Sequence, residues 1–139
     1  MRIIIAGGRD FNNYNLLEEE CLNLFESNPV LYNFVEIISG HANGADKLGE
    51  AFAKKHNYLI RIFDADWNNL DSKPCLIKYN KSGSPYNALA GFNRNRKMAE
   101  CASENNGMLM AFWDGKSPGT KNMIDIAKEL KLKVSIIPI

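Results

Sequence analysis

The 139-residue sequence contains little cysteine and no hydrophobic run long enough to span a membrane. Its cysteines, Cys21, Cys75 and Cys101, are widely spaced, odd in number and outside any CxxC motif. This spacing argues against a disulfide framework or a zinc site and predicts a reducing, cytoplasmic setting. The apolar run at residues 2–7 is too short for a signal peptide. We therefore expect neither a membrane partner nor a bound metal.

The sequence also lacks an excess of either charge. Its 17 lysines and arginines nearly balance 16 aspartates and glutamates, which leaves a net charge of +1. This balance argues against broad attachment to duplex nucleic acid or an anionic membrane, but it is compatible with a local basic pocket. Neither GxGxxG nor the P-loop GxxxxGK[ST] occurs, so a dinucleotide-dependent dehydrogenase and a P-loop NTPase are not supported. No cofactor is predicted.

What is present is an alternation of short apolar runs with longer amphipathic stretches, which predicts strands that alternate with helices. Such alternation favours right-handed crossovers and an α/β fold with a doubly wound, mainly parallel five-stranded sheet and helices on both faces. At 45% hydrophobic residues, the chain is long enough for one domain over residues 1–139. Strands are predicted at 2–7, 34–39, 58–63, 108–113 and 133–139, and helices at 15–27, 44–56, 92–105 and 120–131.

The polar stretch 64–91 interrupts this pattern. So long a connection inside an ordered domain is usually functional, so it is either a lid or the location of a short helix around residues 74–80. Trp67 follows Asp64 and Asp66 at its start. The tryptophan either stacks on a nucleotide base or belongs to the core.

Three glycine-bearing loops leave predicted strand ends: AGGRDF (6–11), SGHANGAD (39–46) and WDGKSPGT (113–120). Ligands bind at the carboxyl ends of the strands in doubly wound sheets. Glycine lets backbone amides approach an anion, and each following helix start adds N–H donors. The three loops together therefore predict a phosphate-binding site. Its candidate residues are Gly7, Gly8, Arg9, Asp10, Gly40, His41, Asn43, Gly44, Asp46, Gly115, Ser117, Gly119 and Thr120.

Four of these side chains have distinct predicted roles. Arg9 could offer a two-pronged donor to a phosphate or carboxylate. Thr120 could cap its helix or donate to a phosphate oxygen. His41 could contact a ligand. Asp46 either orders its loop and caps the second helix, or accepts from a ribose hydroxyl.

The helix that begins near Gly91 carries three basic residues. Arg94 shares a face with Met98, so we expect it to point inward. A cation at a helix N-terminus is disfavoured by the dipole unless an anion compensates, which indicates a ligand pocket for Arg94. Arg96 and Lys97 are expected on a solvated face.

Taken together, AGGRDF, SGHANGAD, ADW, AGFNRNRKM and GKSPGT resemble the small YspA-like members of the SLOG superfamily, the SMF/DprA–LOG group. The resemblance runs in order over nearly the whole chain. It implies a Rossmann-like fold and a site for nucleotides or nucleotide-derived ligands. The residues that it implies for this site are Gly7, Gly8, Arg9, Gly40, Gly44, Asp46, Arg94, Asn95, Gly119 and Thr120.

One branch of that superfamily, the LOG phosphoribohydrolases, carries an arginine-bearing helix followed by PGGxGTxxE. Aligning Gly119 and Thr120 with its GT places Met123 where the catalytic glutamate belongs, and Asn95 replaces the lysine beside the matching Arg94. A carboxylate would stabilise the positive charge that develops on the sugar and could activate water, whereas methionine does neither.

The leading hypothesis is a protein that binds a small phosphorylated nucleotide-derived ligand: a nucleoside phosphate, an ADP-ribose-like molecule or a cyclic nucleotide signal. It would act as a sensor or a sequestering protein, and the resemblance suggests nucleotide signalling or phage–host conflict. The alternative is a nucleotide N-glycosidase that uses Asp46, Asp64 or Asp125 as a displaced carboxylate. Single-stranded DNA binding, by analogy with the DprA branch, is less favoured because basic and aromatic residues are not interleaved. We also expect a homo-oligomer, since small domains of this kind often pair.

Overall fold

The computed structural model describes the whole chain, Met1–Ile139. All nine predicted helices and strands are present, and two further short strands lie between the third and the fourth predicted strands. No helix has the length and apolar character that a membrane span requires. All three cysteines are free thiols. The elements are β1 (Arg2–Gly7), α1 (Tyr14–Ser27), β2 (Glu36–Ser39), α2 (Ala45–Lys55), β3 (Leu59–Ile62), β4 (Ile77–Tyr79), β5 (Pro85–Asn87), α3 (Ala90–Ser103), β6 (Met108–Trp113), α4 (Pro118–Glu129) and β7 (Lys133–Pro138).

The main sheet has five strands in the order β3-β2-β1-β6-β7, and every neighbouring pair is parallel. This confirms the predicted five-stranded parallel sheet. From β1 the chain first builds outward through β2 and β3, and then continues on the other side of β1 with β6 and β7. The switch point therefore lies between β1 and β6, where doubly wound sheets bind their ligands.

Helices cover both faces of the sheet, as predicted. Successive side chains of a strand point to opposite faces, so β1 contributes to two cores. Ile5 packs in one core with Leu17 of α1 and Phe52 of α2. Ile4 packs in the other core with Met123 of α4, and α3 contributes to the same cluster. The two cores hold β1 and β6 rigidly between the helix layers, so the loops that follow these strands start from fixed positions.

A glycine makes the close approach at the switch point possible. A Cβ added to Gly7 would lie 2.5 Å from the Phe112 carbonyl oxygen and 2.7 Å from the Ala45 Cβ. The last residue of β1 therefore has to be small so that β6 and the start of α2 can both pack against it.

The stretch 64–91 contains an antiparallel hairpin of β4 and β5, so the short helix considered around 74–80 is wrong. The turn between the strands favours the hairpin: the Asn80 Oδ1 accepts from the Ser84 N–H at 2.9 Å, and Gly83 adopts a positive φ of 83°. Asn and Gly are residues that favour such turns. Whether the stretch acts as a lid stays a prediction.

Candidate ligand-binding site

A cavity of about 640 Å³ lies at the carboxyl ends of β1 and β6, beside the switch point. Its volume is typical of small-molecule sites. Loops after β1 and β6 contribute to it, and so do the first turns of α3 and α4. The predicted site residues that line it are Gly7, Gly8, Arg9, Asp10, Asp46, Trp67, Arg94, Asn95, Ser117, Gly119 and Thr120.

Five predicted site residues do not line the cavity: Gly40, His41, Asn43, Gly44 and Gly115. The first four belong to the loop after β2, which lies behind the loop after β1. A Cβ at Gly44 would collide with the backbone of that neighbouring loop, so the two loops are in direct contact. Gly115 lies at an exposed turn. The second loop reaches the cavity only through Ala42 and Asp46.

The loop after β1 presents its backbone to the cavity. The N–H groups of Gly8, Arg9 and Asp10 donate to no protein acceptor, and a Cβ at Gly8 would meet nothing within 4 Å. The loop is fixed at its far end because the Phe11 ring stacks on Phe112, with centroids 5.2 Å apart. It is thus an anchored loop with free donors, which is what an anion site requires.

The start of α4 forms the second group of free donors. Ser117 is the N-cap but makes no side-chain cap bond, so the first N–H groups, including those of Gly119 and Thr120, have no partner within the helix. The turn before it is ordered by Asp114, whose Oδ1 accepts from the Lys116 and Ser117 N–H groups at 2.8 Å. These backbone bonds lower the pKa of Asp114. An uncapped helix start carries partial positive charge and favours an anion.

Arg94 and Asp46 bring opposite charges to the back of the cavity. The Arg94 Nη1 donates to the Gly40 carbonyl oxygen at 2.5 Å, and the Asp46 Oδ2 accepts from the Ala42 N–H at 3.2 Å. Asp46 therefore orders its loop, one of its two predicted roles. The inward position predicted for Arg94 is confirmed, since the side chain is half-buried and lines the cavity.

Burial dominates the electrostatics of both groups. Burial raises the pKa of Asp46 to about 6, although the Ala42 N–H and the Arg94 charge oppose the shift. Burial lowers the pKa of Arg94, and Asp46 opposes that change. The two side chains form no direct ion pair, because no nitrogen–oxygen distance between them falls within 4.0 Å. Each side chain can therefore still interact with a ligand.

Asn95 joins α3 to α4 below the rim. Its Nδ2 donates to the Asn122 Oδ1 at 3.0 Å and to the Gly119 carbonyl oxygen at 3.3 Å. Its Oδ1 accepts from the Arg94 Nε at 3.1 Å. The side chain, 6% exposed, thus holds Arg94 and the start of α4 in a fixed relation.

The remaining wall and the floor of the cavity are apolar. Trp67 lies against the start of α3, because a Cβ at Gly91 would be 3.3 Å from the Trp67 Cη2. The β5 strand holds the tryptophan in place, because the Trp67 carbonyl oxygen accepts from the Asn87 N–H of β5 at 2.7 Å. Met98 and Met123 are buried and also line the cavity. A flat aromatic side chain thus lines the same cavity as the free amides.

Several lining residues were not predicted as ligand contacts. Phe92 and Asp114 carried a usable signal, since each lies next to a glycine at a predicted helix start or strand end. Ala6, Gly91 and Pro118 carried the same signal, whereas Met98, Met123 and Ile139 lacked it, because only packing brings them to the cavity. The lining residues missed from the sequence are Ala6, Phe11, Asn12, Ala42, Ala88, Gly91, Phe92, Met98, Asp114, Pro118, Met123 and Ile139.

The three carboxylates considered as replacements for the missing glutamate lie in different places. Asp46 lines the main cavity. Asp64 lines a separate cavity of about 40 Å³ on another side of Arg94. Asp125 is exposed and pairs with the Lys121 Nζ at 2.8 Å. Only the first of the three reaches the main cavity.

Comparisons with known proteins bear on this site and its fold. The family model described as "YspA, cpYpsA-related SLOG family" matches residues 1–69, which include the loops after β1 and β2. The solved structure of DNA processing protein A (DprA) from Streptococcus pneumoniae is similar over 99% of this chain, with a TM-score of 0.66 and 16% identity. At this identity the likeness shows a shared fold. This chain spans 50% of that DprA chain. No curated protein matches the sequence.

Proposed function

The chain belongs to the YspA, cpYpsA-related SLOG family, and from that premise we propose that its cavity binds a small phosphorylated, nucleotide-derived ligand. The family is generally associated with ligands of this kind. One observation supports the proposal most directly: two groups of unpaired backbone amides and an apolar aromatic wall line the same 640 Å³ cavity.

The amide-rich part of the cavity suits a phosphate. Donors from the loop after β1 and from the start of α4 are held by rigid elements, so an anion would need no rearrangement of the backbone. Arg9 is exposed at the rim and pairs with no protein carboxylate. Its guanidinium is therefore available for a charge-assisted bond to a phosphate oxygen.

A second set of lining residues suits a nucleoside. Trp67 and Phe92 offer aromatic surface on which a base could stack. Asp46 and Asp114 offer carboxylate oxygens that could accept from ribose hydroxyls. A ligand that carries both a phosphate and an aromatic ring would match both sets of residues. Nucleoside phosphates, ADP-ribose-like molecules and cyclic nucleotides all have this composition.

A protein with such a cavity would sense its ligand or sequester it, in nucleotide signalling or in phage–host conflict. Both settings are extrapolations from the SLOG family. We expect the protein to act as a homo-oligomer, which analytical ultracentrifugation would test.

The direct test is to denature freshly purified protein and identify the released small molecules by mass spectrometry. Calorimetric titration with AMP, ADP-ribose and cyclic AMP would follow. Arg94→Ala should weaken binding, whereas Arg96→Ala should not, because Arg96 does not line the cavity and pairs with Glu129 of α4 at 2.8 Å. If no nucleotide is released and none of the three binds, the proposal is wrong.

Asp46 favours a second candidate, hydrolysis of the N-glycosidic bond. A carboxyl group with a pKa raised to about 6 in a cleft is a candidate for acid–base chemistry. Incubation with nucleoside monophosphates should then release free base, and Asp46→Asn should abolish the release. Tight binding without release of base would instead favour a binding protein.

A further inference from the structure

A buried polar cluster behind the cavity has no role in the proposed ligand contacts. The Ser39 Oγ donates to the Glu50 Oε2 at 2.7 Å, and the same carboxylate oxygen lies 2.8 Å from the His41 Nδ1. Ser39 and Glu50 are 1% and 5% exposed. A buried carboxylate has to be fully bonded to avoid a large desolvation cost, so this cluster specifies one arrangement of its three side chains.

The cluster holds His41 in an unusual backbone conformation. His41 has a φ of 62°, in the left-handed region that residues other than glycine rarely adopt. Two bonds fix it there: its N–H donates to the Ser39 Oγ at 3.0 Å, and its ring bonds to Glu50. A conformation of this kind persists only where the surroundings determine it.

Each of the two residues that flank His41 bonds to a charged group of the cavity through its backbone. Gly40, before it, offers its carbonyl oxygen to the Arg94 Nη1 at 2.5 Å. Ala42, after it, donates its N–H to the Asp46 Oδ2 at 3.2 Å. The directions of this carbonyl and this N–H depend on the backbone angles of the intervening residue.

We propose that His41 is a positioning residue for the ligand site: by locking the turn at residues 40–42, it sets the orientation of Arg94 and Asp46 before a ligand arrives. This inference rests on the proposed function of the cavity. It assigns the histidine a role other than the direct ligand contact expected from the sequence, since His41 does not line the cavity.

The charges around His41 are consistent with this fixed role. With its Nδ1–H donating to Glu50, the ring keeps the Nε2 as an acceptor, and the Lys47 Nζ lies beside the ring, 2.9 Å from the Nε2 and 3.0 Å from the Nδ1. Burial raises the pKa of Glu50, but the bonds from Ser39 and His41 and the nearby charge of Lys47 lower it overall. The ionised carboxylate thus has donors from β2 and from the loop, and the positive charge of Lys47 on α2 lies nearby.

The test combines two measurements on His41→Ala and on His41→Gly, which tolerates the positive φ but lacks the ring. We expect amide hydrogen exchange at Ala42 to become at least tenfold faster, and ADP-ribose to bind roughly tenfold more weakly. The matched control is His56→Ala, because His56 also bonds to a helix carboxylate, the Glu18 Oε2 at 2.9 Å, but lies outside the cavity. The control should change neither quantity.

A conservative variant separates positioning from general stability. Glu50→Gln keeps an oxygen that can accept from Ser39 and His41, and should retain most of the Ala42 protection and the affinity. Glu50→Ala should lose both. Unchanged Ala42 exchange in both His41 variants would overturn the inference, and so would faster exchange with unchanged affinity. If wild-type protein binds none of AMP, ADP-ribose and cyclic AMP, the proposed function fails instead.

Discussion

Two glycine-bearing regions that look alike in the sequence have opposite surroundings in the structure. In the loop after β1 and at the start of α4, a Cβ at Gly8 or Gly119 would meet nothing within 4 Å. In the loop after β2, a Cβ at Gly40 would lie 2.8 Å from the Asp46 Oδ2, and one at Gly44 would collide with the backbone of the neighbouring loop. The first region is open to the cavity, whereas the second is filled by its neighbours.

The difference shows that glycine serves two purposes at this edge of the sheet. In the open region it leaves backbone amides accessible to a ligand. In the filled region it lets one loop pack directly beneath another, so that Arg94 and Asp46 reach the cavity from behind. We therefore expect substitutions in the filled region to affect folding, and substitutions in the open region to affect binding.

The largest effect is expected for Gly44→Ala. Gly44 has a φ of 82° and a ψ of −128°, which a residue with a Cβ rarely adopts, and the added methyl would overlap the Gly8 and Arg9 carbonyl oxygens. Strain and overlap together should lower the free energy of unfolding by about 4 kcal/mol. Urea denaturation followed by circular dichroism would measure the change.

Gly115→Ala is the matched control for this substitution. Gly115 has a similar φ of 80°, but a Cβ there would meet nothing within 4 Å. Gly115→Ala should lower the free energy of unfolding by about 1 kcal/mol, from backbone strain alone. Equal losses in the two variants would mean that contact between the loops contributes nothing.

The second prediction concerns Asp46 and pH. The pKa of Asp46 is raised from 3.8 to about 6, so the folded protein holds this proton more tightly than the unfolded chain does. The stabilisation is complete below the unfolded value and is lost as the pH rises through 6. From pH 4 to pH 7 the wild type should lose about 2 to 3 kcal/mol relative to Asp46→Asn, as measured by urea denaturation at both pH values. A parallel pH dependence in the two proteins would contradict the burial of this charge.

The third prediction tests the open region. Removing the Arg9 guanidinium by Arg9→Ala should weaken ADP-ribose binding by about 2 kcal/mol, roughly 30-fold, because a charge-assisted bond is lost. Arg9 is exposed and has no protein partner, so stability should hardly change. Calorimetric titration gives the affinity, with Arg96→Ala as the control. Equal affinity in Arg9→Ala and wild type would remove Arg9 from the site.

Most of the fold could be predicted because its signals are local. Apolar runs of strand length alternate with helical stretches, and few topologies other than a parallel sheet with right-handed crossovers are compatible with such alternation. The hairpin was missed since its signal is weaker: the strands have three residues each, and the turn depends on the side-chain bonds of Asn80. The prolines at 74 and 85 would have argued against a helix here. The apolar Ile77 and Tyr79 alternate with the polar Lys78 and Asn80, which would have favoured a strand.

The sequence predicted which loops meet at the site, but not how these loops are arranged around the cavity. Strand ends and glycines indicated which loops meet, because parallel strands direct their carboxyl ends to one edge. The sequence could not show that the second loop lies behind the first, since that depends on the contact of Gly44 with Gly8 and on the packing of α2. His41 was therefore expected at the ligand and instead bonds to Glu50.

The smallest loss among these predictions is expected for Gly8→Ala, which is compared with Gly40→Ala in the filled region. At Gly8 the methyl would occupy open space, so the free energy of unfolding should change by less than about 0.5 kcal/mol. Because Gly8 lines the cavity, the methyl should nevertheless hinder a phosphate and weaken ADP-ribose binding about tenfold, or about 1.4 kcal/mol. At Gly40 the methyl would displace Arg94 and Asp46, so stability and affinity should fall together. If Gly8→Ala unfolded as readily as Gly40→Ala, or bound as tightly as wild type, the loop after β1 would not be the open half of the site.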